Sequence, residues 1–163
     1  MRNRLWTELT QSKHNLGYCI GLVSYQRTIQ KWFNICILAF STSGIMGWTI
    51  WKQFPIVVCF VITALELVKL LQPHLIPAEK NIDKIDAVAE FYSNYYNTLE
   101  QIWYDHYNER ISDEDAQTRF YALKGTEKEI NSTVTQLIRG RNKKLLKRTE
   151  RETKTYFQRT FNV

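Results

Sequence analysis

Hydrophobic residues recur at intervals of three and four along most of the chain, which is the spacing of one face of an α-helix. In residues 1–31 this spacing predicts an amphipathic helix that continues into the apolar region after it. The residues on its first face are Leu5, Leu9, Leu16, Ile20 and Val23. No segment outside the apolar runs has the pattern of a β-strand, and the length of those runs favours helix. The predicted fold class is therefore all-α.

Two apolar runs in residues 32–72 predict a transmembrane hairpin. The first span, about residues 32–51, contains twenty residues without a charge. A helix of that length covers about 30 Å, the hydrocarbon thickness of a bilayer. The second span, about residues 55–71, is charged only at Glu66 and Lys69. A hairpin buried in a soluble helical bundle is the alternative, because several polar residues dilute the first run.

The orientation of the hairpin follows from the basic residues beside it. Five basic residues and one acidic residue precede the first span, and Lys52 is the only charged residue between the spans. The positive-inside rule then predicts that both termini are cytoplasmic. Gly17 and Gly21, in the segment before the spans, are spaced to allow close contact with another helix, although a chance pair on a surface helix is equally consistent with the sequence.

Polar and small residues within the spans suggest two roles. Thr63 and Glu66 lie on one face of the second span, and a carboxylate within a bilayer costs a few kcal/mol unless it meets water or a partner. These two residues are therefore pore-lining candidates, with an ion pair between Glu66 and Lys69 as the alternative. The first span contains a stripe of small residues suited to helix packing in the membrane. This stripe consists of Ala39, Ser43 and Gly47.

The predicted cytoplasmic domain, residues 73–163, begins with a long helix over residues 81–109. A heptad-like seam runs along it and includes large aromatic residues, which favours packing against other helices. We expect this seam to assemble a homo-oligomer, because one small domain has few residues to cover it. The seam consists of Ile82, Ile85, Ala89, Tyr92, Tyr96, Leu99 and Trp103.

Helix boundaries in the rest of this domain follow from capping residues. Ser112 with Asp115 resembles an N-cap with an acidic partner, and predicts a helix over residues 113–124. Gly125 predicts the end of that helix, and Thr126 with Glu129 predicts the start of another over residues 127–139. A basic helix over about 141–160 completes the domain.

Charge is divided unequally within the cytoplasmic domain. Residues 73–138 contain twelve acidic and six basic residues, whereas residues 139–163 contain nine basic and two acidic residues. The basic segment is dense enough to bind the phosphates of a nucleotide, an oligonucleotide or an anionic lipid. The alternative is that it docks on the acidic segment of its own chain or of a neighbouring subunit. The candidate phosphate ligands are Arg139, Arg141, Lys143, Lys144, Lys147 and Arg148.

Features of an enzyme are weak in this sequence. The three histidines are not spaced with other ligands as in a metal site, and the three cysteines fit small apolar positions. No glycine-rich phosphate loop or nucleophile elbow is present. We therefore predict no catalytic residues, no metal and no cofactor.

Several segments resemble the SLATT family of two-transmembrane effectors, which accompany nucleotide-messenger synthases in bacterial antiphage systems. The segments are RLWTEL, YCIGLVSYQRTIQKW, ALELVKLLQP, AEFYSNYYNTLEQIWYD and RISDEDAQTRFYAL. Within this family, the chain is most similar to the membrane effectors of Hailong systems.

The resemblance implies a homo-oligomeric ion channel, a tetramer, in the bacterial inner membrane. It also implies gating by a nucleotide or short DNA oligomer from a partner nucleotidyltransferase, with depolarisation or growth arrest as the outcome of infection. A different function fits the same residues: a membrane-anchored scaffold that does not conduct ions and recruits anionic partners through its basic tail.

Overall fold

The computed structural model is helical throughout nearly all of its described residues, and no strand occurs among them. This confirms the all-α fold class. The described residues are 1–46, 56, 60, 62–64, 66–67, 70, 79–137 and 142–161. Four long helices lie in these ranges: α1 (Arg2–Met46), α2 (Glu79–Tyr107), α3 (Asp113–Leu137) and α4 (Lys143–Phe161).

The chain forms two compact units. The first contains Met1–Val23 and Asp83–Val163, and the second contains Ser24–Ile82. As the sequence predicts, the N-terminal helix does not stop at residue 31 but continues to Met46. Within the described part of the chain, no helix combines the length and the hydropathy that a membrane crossing needs.

The first unit is a helical bundle in which consecutive helices run in opposite directions. Trp6 near the start of α1 packs on Trp103 near the end of α2, with ring centroids 5.6 Å apart. The turn between α2 and α3 is closed by a contact between His106 Nε2 and Asp113 Oδ1. Helix α4 returns along α1, because Phe161 packs on Trp6 with a centroid distance of 5.2 Å. The alternating helix directions match those of up-down helix bundles.

All four helices of the first unit contribute to one hydrophobic core. Leu5 and Leu9 of α1 are fully buried, and Phe120 of α3 is almost so. The remaining buried members are Tyr95, Tyr96, Leu99, Ile102, Ala116 and Phe157. Burial of Leu, Ile and Phe side chains contributes about 1.5–3 kcal/mol each to folding, so this cluster accounts for much of the stability of the unit.

The predicted oligomerisation seam lies mostly in the interior of the chain, not on an exposed face. Six of its seven residues are buried within this single chain, and the seventh, Trp103, is half-buried. Tyr96 and Leu99 belong to the core that α1, α3 and α4 complete. The seam is therefore not an open aromatic face, because the chain supplies enough helices of its own to cover it. Any contact between subunits would have to use another surface.

Two predicted helix boundaries have opposite outcomes. The cap at Ser112 is confirmed: the Asp115 backbone N–H donates to Ser112 Oγ at 3.0 Å, and Ser112 Oγ donates to Asp115 Oδ2 at 2.8 Å. The break at Gly125 is wrong, because α3 runs through it without interruption. Thr126 is not an N-cap, since its hydroxyl donates to the Leu123 carbonyl at 2.7 Å as residues inside helices do.

The contact between α1 and α4 depends on two glycines. A Cβ atom placed on Gly17 would lie 2.9 Å from Thr149 Cγ2, and one placed on Gly21 would lie 2.6 Å from Leu145 Cδ1. Both distances are shorter than van der Waals contact, so a side chain at either position would force Thr149 or Leu145 to shift. The pair of glycines thus acts as the close-contact motif that the sequence suggests.

Glycine substitutions in α1 and α3 should have opposite effects on stability. Gly17→Leu is expected to lower the free energy of unfolding by about 1–3 kcal/mol, because its side chain overpacks the contact with Thr149. Gly125→Ala is the matched control: it lies inside α3 with no atom within 4 Å of an added Cβ. It should raise stability by about 0.5–1 kcal/mol through helix propensity alone. Chemical denaturation of the purified full-length protein measures both, and equal effects would contradict this account of the α1–α4 contact.

Candidate functional site

Helix α4 has a buried face and a basic face. Thr149, Thr153 and Phe157 recur every four residues and are buried in the bundle. The exposed basic residues lie on the opposite side, within an arc of roughly 140° at 3.6 residues per turn. We call this surface the basic face; it consists of Lys143, Lys144, Lys147, Arg148, Arg151 and Lys154.

The basic face includes four of the six predicted phosphate ligands. Lys143, Lys144 and Lys147 are exposed. The Arg148 guanidinium Nε donates to Glu152 Oε1 at 2.7 Å, and this interaction raises the pKa of Arg148. The other two predicted ligands, Arg139 and Arg141, lie outside the described residues. Arg151 and Lys154 extend the face beyond the predicted ligands. Projecting the sequence after Arg148 onto a helical wheel places both on the same side of α4.

The start of α4 is held by a cap and by a contact with α1. Asn142 Oδ1 accepts hydrogen bonds from the backbone N–H groups of Lys144 at 3.1 Å and Leu145 at 3.2 Å. The Asn142 backbone N–H in turn donates to the Tyr18 hydroxyl of α1 at 3.2 Å. Asn142 therefore fixes the position of the basic face relative to α1, since it bonds to both helices.

A lysine and two tyrosines join α4 to α1 and α2. Lys13 Nζ lies 4.5 Å from the ring centroid of Tyr96 and 4.1 Å from that of Tyr156, which is cation–π geometry. The Tyr96 hydroxyl donates to Glu100 Oε1 at 2.8 Å and lies 3.2 Å from the Tyr156 hydroxyl. Burial, followed by these hydrogen bonds, raises the pKa of Tyr96, so its hydroxyl stays protonated and able to donate.

A second polar cluster lies where α1, α2 and α3 meet. Glu8 forms an ion pair with Lys124 through Oε2, and its Oε1 accepts a hydrogen bond from the Tyr95 hydroxyl at 3.3 Å. Burial and the nearby Glu8 charge raise the pKa of Glu127, and Lys124 opposes this shift. The sequence alone does not reveal this cluster, because its members are far apart along the chain. Its one local signal is that Glu8 is the single acidic residue before the apolar runs.

The described side chains include the buried Cys19 thiol and the six exposed cations of the basic face. Burial raises the pKa of the Cys19 thiol to about 11, so the thiolate nucleophile is scarce near neutral pH. Among the residues with described positions, no three His, Cys, Asp or Glu side chains have the geometry of a metal site. The basic face is thus the candidate functional site.

The candidate membrane residues are described only in part. Thr63 and Glu66 are exposed and helical, and so is Ala39 in α1. Ser43 lies within α1, whereas Gly47, the residues between the spans and Lys69 fall outside the described residues. Several large apolar side chains in this part of the chain are exposed: Leu38 is 66% exposed, Phe60 75% and Ile56 83%.

Comparison with known proteins gives no match to a protein family, to a curated protein or to a solved structure. A function must therefore be inferred from the residues and their positions. The basic face, its attachment to α1 and the exposed apolar side chains are the features that bear on it.

The cluster around Glu127 predicts a dependence of stability on pH. An acid whose pKa is raised in the folded protein keeps its proton there at a pH at which the unfolded chain has released it. The contribution of Glu127 to stability therefore falls as the pH rises from its ordinary pKa of 4.5 through the raised value. Glu127→Gln removes this cost and should stabilise the protein at pH 7 by less than about 1 kcal/mol, because the side chain is half-buried and screened by solvent.

The measurement is the difference in stability between pH 5 and pH 7. We expect the gain on acidification to be smaller in Glu127→Gln than in the wild type. Glu129→Gln removes an exposed carboxylate from the same helix and serves as the control. The same pH difference in the wild type and Glu127→Gln would show that Glu127 is not the titrating group.

Proposed function

We propose that this protein is a membrane effector of antiphage defence that assembles into an oligomeric, ion-conducting pore gated by a nucleotide or short DNA oligomer. The observation on which this rests most is the basic face of α4. Six cationic side chains are exposed there on one side of a helix whose other side is fixed in the bundle. Such a surface attracts the phosphates of a nucleotide or a nucleic acid, whatever the base sequence.

The exposed apolar side chains between residues 32 and 70 support the membrane part of the proposal. A soluble protein rarely exposes many large apolar side chains in one part of its chain. Lipid would cover Trp32, Leu38, Phe60 and Leu70, which are all more than half exposed. We therefore propose that residues 32–72 form the membrane hairpin, with both termini in the cytoplasm and the inner membrane as the location.

Helix α1 provides a connection between ligand binding and the pore. Its N-terminal part contains Gly17 and Gly21, on which α4 packs, and the same helix continues into the apolar run from Trp32. A phosphate-bearing ligand on α4 would therefore act on a helix that also belongs to the membrane region. This is a physical route for gating, because a shift of α4 changes the packing of α1 directly.

Assembly from several copies is required for conduction, because two helices cannot enclose a water path. The proposed assembly is a homo-tetramer in which Thr63 and Glu66 face the water path and Ala39, Ser43 and Gly47 contact a neighbouring helix. A ring of Glu66 carboxylates would attract cations and repel anions. The open pore should therefore prefer cations.

The basic face should bind short single-stranded DNA in a manner that depends strongly on salt. Lys144→Glu combined with Lys147→Glu is expected to weaken binding by about tenfold or more at low salt. The slope of log affinity against log salt should decrease by about 0.7 for each phosphate that the variant no longer neutralises. Fluorescence anisotropy with a labelled DNA oligomer measures both quantities on the full-length protein.

The control for this experiment is Lys128→Glu, which reverses an exposed charge on α3 rather than on the basic face. A parallel experiment measures binding to vesicles of anionic lipid without DNA. If the double variant loses binding to the vesicles but not to DNA, the face is a site for lipid headgroups. Unchanged DNA affinity in the double variant would refute the face as the ligand site.

Glu66→Gln should reduce cation selectivity without unfolding the protein, because side-chain volume and polarity are nearly retained. Reversal potentials in planar bilayers under an ion gradient provide the measurement. If the wild type and Glu66→Gln have the same reversal potential, Glu66 does not line the pore. If the protein conducts no ions at all, the non-conducting scaffold becomes the better account of the same surfaces.

A further inference from the structure

An open groove of about 530 Å³ lies between α1 and α2, on the first unit of the chain. Its apolar lining comes from Leu16 and Ile20 of α1 and from two alanines of α2, and its rim contains three acidic residues of α2. Ile20 is a large apolar residue, and 55% of its surface is exposed. The acidic residues of the rim are Asp83, Asp86 and Glu90.

The acidic rim and the basic face have matching charge spacing. Asp83 and Glu90 are seven residues apart along α2, and Lys144 and Arg151 have the same spacing along α4. At 1.5 Å per residue, each pair of charges extends over about 10 Å. A parallel pair of helices can therefore bring Asp83 opposite Lys144 and Glu90 opposite Arg151.

We propose that the groove is the docking site for the basic face of α4 from a second copy of this chain. An occupant with cations would complement Asp83 and Glu90, and this chain already displays such a surface on a helix of suitable spacing. Opposite charge across an interface speeds association and fixes its register, while the aliphatic stems of the lysines can cover Leu16 and Ile20.

The contact is head-to-tail and therefore compatible with a closed ring. The groove of one copy receives the face of the next, so each copy uses two different surfaces. Such a head-to-tail contact generates rings when its rotation closes. It also supplies the contact between subunits that the buried seam on α2 does not provide.

One consequence rests on the proposed function. The basic face would serve both the neighbouring copy and a phosphate-bearing ligand, so the two would compete for the same cations. Ligand binding would then loosen the contact between cytoplasmic units. The groove contact itself does not depend on whether a ligand exists.

A charge exchange tests the contact on the full-length protein. Asp83→Lys with Glu90→Lys reverses the rim, and Lys144→Glu with Arg151→Glu reverses the face. Each pair alone is expected to raise the concentration at which the assembly dissociates by about tenfold or more, because like charges then face each other. The chain with all four changes should return to the wild-type dissociation midpoint in native mass spectrometry. Circular dichroism verifies that each variant remains folded.

Cross-linking tests the contact itself, even if other regions of the chain also hold the copies together. Chains with Glu90→Cys are mixed with chains bearing Arg151→Cys and oxidised, and chains with Lys128→Cys replace the latter in the control mixture. We expect a cross-linked dimer in the first mixture well above the control. Equal cross-linking in both mixtures, or a four-change chain that stays dissociated, would overturn the proposal.

These outcomes are distinguishable from failure of the proposed function. The four-change chain should regain assembly but not DNA affinity, since its basic face is now partly acidic. A protein that assembles through the groove but binds no DNA would retain this inference and lose the proposed ligand.

Discussion

The packing of α4 on the N-terminal part of α1 is the contact on which the rest of the described structure depends. It is possible because Gly17 and Gly21 leave no side chain between the helices, and because α4 presents Thr149 and Leu145 to them. The Asn142 cap and the Lys13 contacts with Tyr96 and Tyr156 then fix the position of the helix. Six cations are thereby directed outward from one side of the bundle.

The same contact explains why the bundle is closed within one chain. Phe157 and Tyr156 of α4 cover the aromatic surface of α2 that would otherwise face solvent. An interface between copies must then use surfaces that are polar at their edges, such as the groove beside Ile20 and the basic face. Interfaces of this kind depend more on charge than a buried aromatic seam does, and salt or a charged ligand weakens them more readily.

Local patterns in the sequence predicted the helices better than they predicted the contacts. Spacing by three and four located α1 and α2, and the Ser112 cap located the start of α3. The Gly125 boundary failed because a glycine costs only about 1 kcal/mol inside a helix, which the packing of Phe120 and Ala116 on the same helix offsets. The role of the α2 seam failed for a related reason: periodicity shows that a face is buried but not which helix covers it. The Glu8 cluster joins residues more than a hundred positions apart, and no local pattern contains that information.

The central claim is that phosphates bound to the basic face of α4 control ion conduction by the assembly. The most direct measurement is ion flux from liposomes that contain the full-length protein, recorded before and after addition of a short DNA oligomer at low salt. The account predicts flux whose rate changes on addition of the oligomer, in either direction, and a return toward the initial rate when salt releases the oligomer. Flux that is absent under every condition, or flux that the oligomer leaves unchanged while it binds the protein, would contradict the account.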